Sequence, residues 1–330
     1  MRIAVLTSRD WVNSNYRAFP IVTLRSRGHE VQLDWDADKR LPGGLTRFDV
    51  VHVYRLNTPE VRRALSQLRE RGVGIVWDDD DFAGLPTLRG DAIRSQSFRA
   101  DMTKVLKVAH VATTPSAVLA EHFREWGGQR VRVVENFLPG TYAPPVGAAP
   151  RNGADAITIG WIAAVEHVYD LEQLGITDTL KQLMAAHPQV RVESVGVNLR
   201  LAPERYEHLY RLQYADLAER VATWDIGIAP LADIVFNRAK SNVKLKEYAA
   251  AGVAWLASPI GPYEGFGEQQ GGRLVADDGW YEALERLVAR EKDRRKLVKR
   301  GRRWAATQTV AANLDAWEGA ISEAAALARA

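Results

Sequence analysis

"NRAKSNVKLKEYAAAGVAWLAS", Asn237–Ser258, is the stretch on which the reading of the fold turns. A helical pattern opens near Ser241 or Asn242, either of which can cap it, and Gly252 can end it. The apolar run "VAWLAS" then reads as a buried strand. Two cations, Lys240 and Lys244, stand where the helix carries about half a positive charge and unpaired N–H groups. An anion such as a phosphate or diphosphate would remove that conflict. At ~100° per residue, Lys240, Lys244, Glu247 and Ala251 share one stripe. Glu247 is then placed to accept hydrogen bonds from a ribose diol beyond the diphosphate. Phe236 precedes the helix and could shape the loop that enters it. The plain alternative is a surface Lys–Glu pair.

Outward from this stretch the chain alternates short apolar runs with helical patterns. "RIAVLT", "EVQLDW", "VVHVYR", "VGIVWD" and "VRVVEN" read as strands, with helices expected over about Tyr16–Arg27 and over "TPEVRRALSQLRERG", the latter capped by Thr58. Pro139–Gly153, rich in proline and glycine, reads as a linker. The alternation restarts with "AITIGWI", "VRVESVGV" and "WDIGIAPL" and ends in a basic, alanine-rich helical region from about Trp280. Near-continuous Val/Ile strands alternating with helices predict an α/β protein with parallel sheets covered on both faces. We expect two Rossmann-like domains facing across a cleft, residues 1–145 with a C-terminal helix (about 308–330) crossing back to them, and residues 146–307.

Composition narrows the classes. The 330 residues are 46% hydrophobic and 26% charged, as in a soluble globular protein. No apolar run approaches the ~20 residues of a membrane span, and the N-terminus runs directly into a strand pattern, so a cytoplasmic protein without a transmembrane segment is expected. The absence of cysteine excludes disulfides, thiolate nucleophiles and Cys-ligated zinc. A net charge of +3 permits anionic substrates but is far from the density of a nucleic-acid binder.

Other stretches carry candidate chemistry. "IGWIAAVEHVYDLEQL", Ile159–Leu174, follows the start of the second domain: Gly160 would let the backbone turn closely, Trp161 would form a wall, and His167 and Asp170 fall at i,i+3. A solvated or capping histidine is the alternative. In "NSNYR", Asn13, Tyr16 and Arg17 could meet an acceptor or phosphate, with Arg17 holding it and Tyr16 stacking, or Asn13 could simply cap a helix. "WDDDDF", Trp77–Phe82, offers Asp78, Asp79, Asp80 and Asp81 as acceptor contacts or, for Asp79 and Asp80, a catalytic base. Clustered carboxylates also suit Mg²⁺ or Mn²⁺, but alternating side chains on an extended chain let at most two share an ion. Capping and solvation remain the plain reading. The basic "REKDRRKLVKRGRR", Arg290–Arg303, is either a nucleic-acid patch or a solvated helix face. His110 and His122 are isolated.

Taken together, "IGW…EHVYDL", "WDIGIAPL", "FNRAKSNVKLKEYAAAGV" and "WLASPIGPY" resemble the donor-binding half of family 4 glycosyltransferases with the GT-B fold, the subset with an FN-x-x-KS-x-x-K-x-x-EY signature. "NSNYRAFPIVTLRSRGHEV", "IVWDDDDF" and "VATTPSAVLAEHF" have weaker counterparts in the first half. The resemblance implies a metal-independent transferase, without cofactor, that moves a sugar from a nucleotide-diphosphate sugar to an acceptor hydroxyl with retention. It implies that Glu247 holds the ribose. It further implies that Lys240 and Ser241, with Asn237 and Asn242 beside them, receive the diphosphate and sugar, and that Gly160 and Trp161 form the loop after the domain's first strand. The sequence departs from the family where its first glutamate falls at Ala239, and where Asn13-Ser14-Asn15 replaces a Gly-Gly turn. No Arg/Lys pair follows the first loop; His167 and Lys244 would stand in for it. Acceptors consistent with this reading are a saccharide, a small molecule or a modified base in nucleic acid. A GT-B epimerase and a non-catalytic nucleotide-sugar-binding protein are the other readings.

Overall fold

A computed structural model describes residues 1–8, 13–81, 92–144 and 155–330. Phe82 and residues 145–153 of the expected linker lie outside the described residues. The chain packs as two compact units, Met1–Pro139 with Ala239–Ser241 and Val310–Ala330, and Gly140–Arg238 with Asn242–Thr309.

The first unit is built on strands β1 (Arg2–Leu6), β2 (Glu30–Asp34), β3 (Val50–Tyr54), β4 (Gly74–Asp78), β5 (Val111–Thr114) and β6 (Val131–Val133). They form one sheet in the order β2-β1-β3-β4-β5-β6, every pair parallel. Strands β3 and β4 are buried throughout, which is why they read as continuous apolar runs rather than alternating ones. The helix expected over Tyr16–Arg27 is three short pieces, Ser14–Arg17, Phe19–Thr23 and a 3₁₀ turn Leu24–Arg27. Pro20 has no N–H to continue the first piece and lies in the first turn of the second. Thr58 Oγ1 accepts from the Val61 amide at 3.3 Å and caps helix Pro59–Glu70. The last helix, Leu314–Arg329, lies on this sheet: Trp317, Ile321 and Ala324 share a core with Ile3, Val5, Val76 and Val111. Gly74 admits it, because a Cβ there would lie 2.8 Å from the Ala324 carbonyl oxygen.

The second unit repeats the plan with β7 (Ile157–Ala163), β8 (Val190–Gly196), β9 (Tyr206–Leu209), β10 (Ile226–Ala229), β11 (Ala254–Ala257) and β12 (Gly272–Leu274). Their order is β12-β11-β10-β7-β8-β9, again all parallel. The short edge strands β9 and β12 have no counterpart in the sequence reading; three or four residues at a sheet edge leave too little periodicity to detect. Helices Ile176–Ala186, Trp280–Ala289 and Glu291–Ala305 send Leu180, Leu183, Leu284, Leu287 and Leu297 into the core against Ile159, Ile226 and Leu256.

Candidate functional site

In an open parallel sheet, ligands bind beyond the carboxyl ends of the strands, where successive connections leave to opposite sides. In the second unit β7 pairs with β8 on one side and β10 on the other, so the switch point lies between β7 and β10. The loops that follow these two strands are tied together by one carboxylate. Asp170 Oδ1 accepts from the Ala232 amide at 2.8 Å and from Asn237 Nδ2 at 2.6 Å. Its Oδ2 meets His167 Nδ1 at 2.6 Å. Asn237 Nδ2 also donates to the Ala232 carbonyl at 2.8 Å. All three side chains are buried. A carboxylate already accepting from an amide and an Asn NH₂ requires a donor from the imidazole, so His167 carries its proton on Nδ1 and is held in one orientation. His167 and Asp170, read from i,i+3 spacing alone, thus do meet, and Asn237 joins them.

The helix at the heart of the sequence reading is Val243–Ala251, with Asn242 at the N-cap position and Gly252 closing it at φ 79°. Lys240 and Ser241 precede the helix, so the stripe expected from Lys240 through Lys244 and Glu247 to Ala251 begins only at Lys244. The helix is sunk into the unit, with Leu245, Glu247, Tyr248, Ala249 and Ala251 buried and Lys244 half-buried. The Glu247 carbonyl accepts from Tyr142 Oη at 3.0 Å. Burial, together with the Asp170 and Glu247 carboxylates, holds the Tyr263 phenol above its ordinary value. Tyr263 therefore lies in the electrostatic field of both acidic residues of this site. Phe236 is half-buried on the single turn Val235–Arg238.

Gly160 and Trp161 are not in a loop; they lie inside β7. Gly160 is glycine because a Cβ would fall 2.0 Å from the Trp224 ring. Trp161 is 1% exposed in the core and cannot wall an open site, although its ring centroid lies 6.4 Å from that of His167.

In the first unit the acidic run is a set of ion pairs around two arginines. Arg17 is wholly buried and donates to Asp78 through Nε (3.0 Å) and Nη2 (2.8 Å). Its Nη1 donates to the Val134 carbonyl and to Asn136 Oδ1 (3.0 Å), and its guanidinium lies 4.5 Å over the Trp317 ring. His52 Nε2 reaches Asp78 Oδ2 at 3.2 Å. So enclosed, Arg17 is a structural partner of Asp78 rather than a phosphate ligand. Tyr16 is also buried, at 3% exposure, which removes it as a stacking surface. Asn13 occupies the N-cap position of Ser14–Arg17 without a side-chain capping bond.

Strand β4 ends at Asp78, and the alternation expected for the run ends with it. Arg55 meets all three following carboxylates, Asp79 at 3.3 Å, Asp80 at 2.6 Å and Asp81 at 3.3 Å. Asp80 also accepts from Tyr54 Oη at 2.6 Å, and Asp79 from the Asp81 amide at 3.1 Å. A guanidinium takes the place the metal reading would have given a cation. Burial raises the Asp79 carboxyl to about 7; the neighbouring Asp80 and Asp81 charges add to this, against the opposing pull of Arg55. Among the described residues no group of three or more His, Cys, Asp or Glu is disposed to hold a metal.

Three consecutive residues, Ala239–Ser241, belong to this same unit. Ser116 Oγ donates to the Ala239 carbonyl at 2.8 Å, Lys240 Nζ to Asp81 Oδ1 at 2.8 Å, and Asn136 Nδ2 to Ser241 Oγ at 3.1 Å. Lys240 thus faces a carboxylate, and Asn136 links Ser241 to the Arg17–Asp78 pair. Arg55, Asn136, Tyr142 and Tyr263 escaped the sequence reading. Arg55 had a usable signal, a cation directly after a mostly apolar strand in a chain with four consecutive aspartates.

Residues 177–319 match the family model described as "Glycosyl transferase-like". The whole chain superposes on solved structures: sucrose-phosphate synthase from Thermosynechococcus elongatus (TM-score 0.64, 15% identity, covering 100% of this chain and 98% of that one); HepE of Anabaena in complex with UDP-glucose (0.66, 13%, 98% and 100%); and an alpha-glucosyltransferase in complex with UDP-glucose and DNA containing an abasic site (0.67, 12%, 98% and 99%). The fold is that of GT-B glycosyltransferases. No curated protein matches the sequence. The family match covers much of the second unit, and the likeness to the solved structures extends the GT-B fold over the whole chain.

Proposed function

We propose that this protein transfers a sugar from a nucleotide-diphosphate sugar to an acceptor hydroxyl, with retention of anomeric configuration and without a metal ion, in the cytoplasm, in the manner of the family 4 enzymes its donor-side motifs resemble. One observation carries the reading: at the β7/β10 switch point, His167, Asp170 and Asn237 lock two loops together immediately before a helix start with Lys240, Ser241 and Lys244 around it and Glu247 one turn in. Neighbours of the same fold bind UDP-glucose, which supports a nucleotide-sugar as donor. In this reading Glu247 holds the ribose, Lys244 and the helix start take the diphosphate, and Phe236, Asn237 and Asn242 line the sugar's side. Lys240 exchanges Asp81 for the leaving phosphate as charge grows there, and His167 supplies a donor fixed by Asp170. The substitution is front-face, with the leaving phosphate assisting removal of the acceptor proton.

A thermal-shift screen of nucleotide-sugars tests the donor, since a ligand at ~100 times its Kd stabilises the folded state by roughly 2.7 kcal/mol. Incubation of the bound donor with an acceptor panel that includes hydroxymethylated DNA, with and without EDTA, should then release nucleotide diphosphate in both conditions, and NMR of the product should show a retained anomer. If no nucleotide-sugar shifts the melting temperature and none is turned over, the proposal fails.

A further inference from the structure

The second unit has another concave surface, at the opposite edge of its sheet. A cavity of about 510 Å³ is lined by Trp224 and Asp225, which directly precede β10, by Gly252, which follows the helix Val243–Ala251, and by one face of the helix Glu291–Ala305. That helix carries eight lysines and arginines against two acidic residues, in a chain whose net charge is only +3. Four of its cations, Arg294, Arg295, Lys299 and Arg302, face the cavity. Helix Val243–Ala251 has nine residues and so spans about 13 Å; its two ends lie at opposite edges of the sheet.

The floor is built. Trp224 Nε1 donates to Glu193 Oε1 at 2.8 Å, and its ring lies on Gly160, where no Cβ could fit. Asp225 Oδ2 accepts from the Thr158 amide at 2.9 Å. The cations divide by their partners. Arg294 donates to the Leu287 and Val288 carbonyls, and Arg295 pairs with Glu291 at 2.6 Å. The side chains of Lys299 and Arg302 have no hydrogen-bond or ion-pair partner among the described residues. Gly252 leaves room for the Arg302 guanidinium, whose Nη2 would lie 2.3 Å from a Cβ at that position. Four cations line the cavity against two carboxylates, Glu291 pairing with Arg295 and Asp225 lying in the field of Arg294, which leaves a positive balance and two uncommitted cations facing a volume suited to a small molecule.

We propose that this cavity binds a phosphate-bearing ligand, with Lys299 and Arg302 as the charged contacts, at a site separate from the carboxyl-edge site and independent of the function assigned to it. Phosphate matches two converging cationic donors, one of them a guanidinium that can bind in a bidentate fashion. Inorganic pyrophosphate is the probe, titrated calorimetrically into the full chain and into a Lys299→Ala/Arg302→Ala double variant. The double variant should bind about tenfold or more weakly, as expected for lost charge-assisted contacts. Its melting temperature should be unchanged, since both side chains are exposed. Lys240→Ala should bind pyrophosphate at this cavity as the parent protein does. Vesicles containing phosphatidylglycerol distinguish the source: sedimentation of the parent but not of the double variant assigns the phosphate to a lipid headgroup, and no sedimentation assigns it to a soluble compound. Pyrophosphate bound equally by parent and double variant, or lost instead in Lys240→Ala, would overturn the assignment. So would retention of a DNA duplex by a protein that does not bind pyrophosphate.

Discussion

Lys240 shows how a single side chain can be read two ways. From the sequence it is a cation repelled by a helix start; in the structure it lies outside that helix and bonds to Asp81. That pair is part-exposed, and such pairs contribute about 0–1 kcal/mol, so Lys240→Ala should move the melting temperature little. Loss of a preorganised donor to developing phosphate charge costs about 10²–10³ in rate, so kcat should fall steeply. A variant that melts several degrees lower with near-normal kcat would make the lysine structural. Arg55 is the converse case, a residue the sequence did not single out. It is one of two non-glycine residues at positive φ among the described residues, at 60°, a conformation tolerated where surrounding contacts enforce it. Arg55→Ala would leave Asp79 and Asp80 buried without their cation, and should destabilise by about 3–5 kcal/mol in chemical denaturation. Arg55→Lys should restore only part of this, lacking the fork that reaches several carboxylates. Asp79 gives a pH test. Its carboxyl binds a proton more tightly folded than unfolded, because burial raises it to about 7. Between the ordinary carboxylate range and about 7 the folded state holds more protons, so Asp79 favours folding at the acid end of that window and loses the contribution as pH rises. The melting temperature of the parent minus that of Asp79→Asn should therefore fall from about pH 5 to about pH 8; a constant difference would show that Asp79 titrates as an ordinary carboxyl.

Among the elements, the central strands were legible because they are buried on both faces, and helix Pro59–Glu70 because Thr58, Pro59 and Gly72 mark its ends. The carboxyl-edge site was legible in part for the same local reason: His167 and Asp170 are one helical turn apart, and Asn237 lies in the next switch-point loop. What could not be read was long-range. Gly160 looks like a loop glycine until Trp224, 64 positions later, is found on its face. The Tyr263 neighbourhood joins residues from three elements. The alternation that should have splayed the four aspartates stops where β4 stops, and only tertiary structure shows that Arg55 gathers them. Two expectations follow at this scale. Gly160→Ala forces a methyl into the Trp224 ring and should cost about 1–3 kcal/mol or more by overpacking, with Trp224→Leu as the partner change that relieves it; a stability equal to the parent would contradict the close approach. Asp170→Asn turns an acceptor into a group with an NH₂ facing either the Ala232 amide and Asn237 or the His167 imidazole. A buried mismatched hydrogen bond costs about 1–3 kcal/mol, and amide exchange at Ala232 should quicken, since its acceptor is weakened.

For the molecule as a whole, the chain's order and its spatial order differ. The first unit is not complete until the last helix is made: Trp317, Ile321 and Ala324, near the C-terminus, are buried against strands laid down near the N-terminus. The same helix closes over the buried charges of that unit, because Trp317 lies under the Arg17 guanidinium and its ring is 6.1 Å from that of His52. Removing residues 310–330 would therefore do two things at once. It would expose the apolar face of a six-stranded sheet, where each large side chain returned to water costs roughly 1.5–3 kcal/mol. It would also open the Arg17–Asp78–His52 group to water without replacing the ring that packs on it. Several such side chains together reach the scale of the 5–15 kcal/mol that typically holds a domain together. A chain ending at Thr309 should thus lose the cooperative transition of the first unit and bind a dye for exposed apolar surface. The second unit draws its helices and strands from Gly140–Arg238 and Asn242–Thr309, all of which remain. It should keep a transition of its own, visible as a single melting step with reduced enthalpy. A substitution probes the same dependence without deletion: Trp317→Ala leaves the backbone but removes the ring, and should cost about 3–5 kcal/mol in the unfolding step of the first unit alone. If the truncated chain instead unfolds with the parent's enthalpy and midpoint, the final helix is an accessory to the first unit and not part of its core.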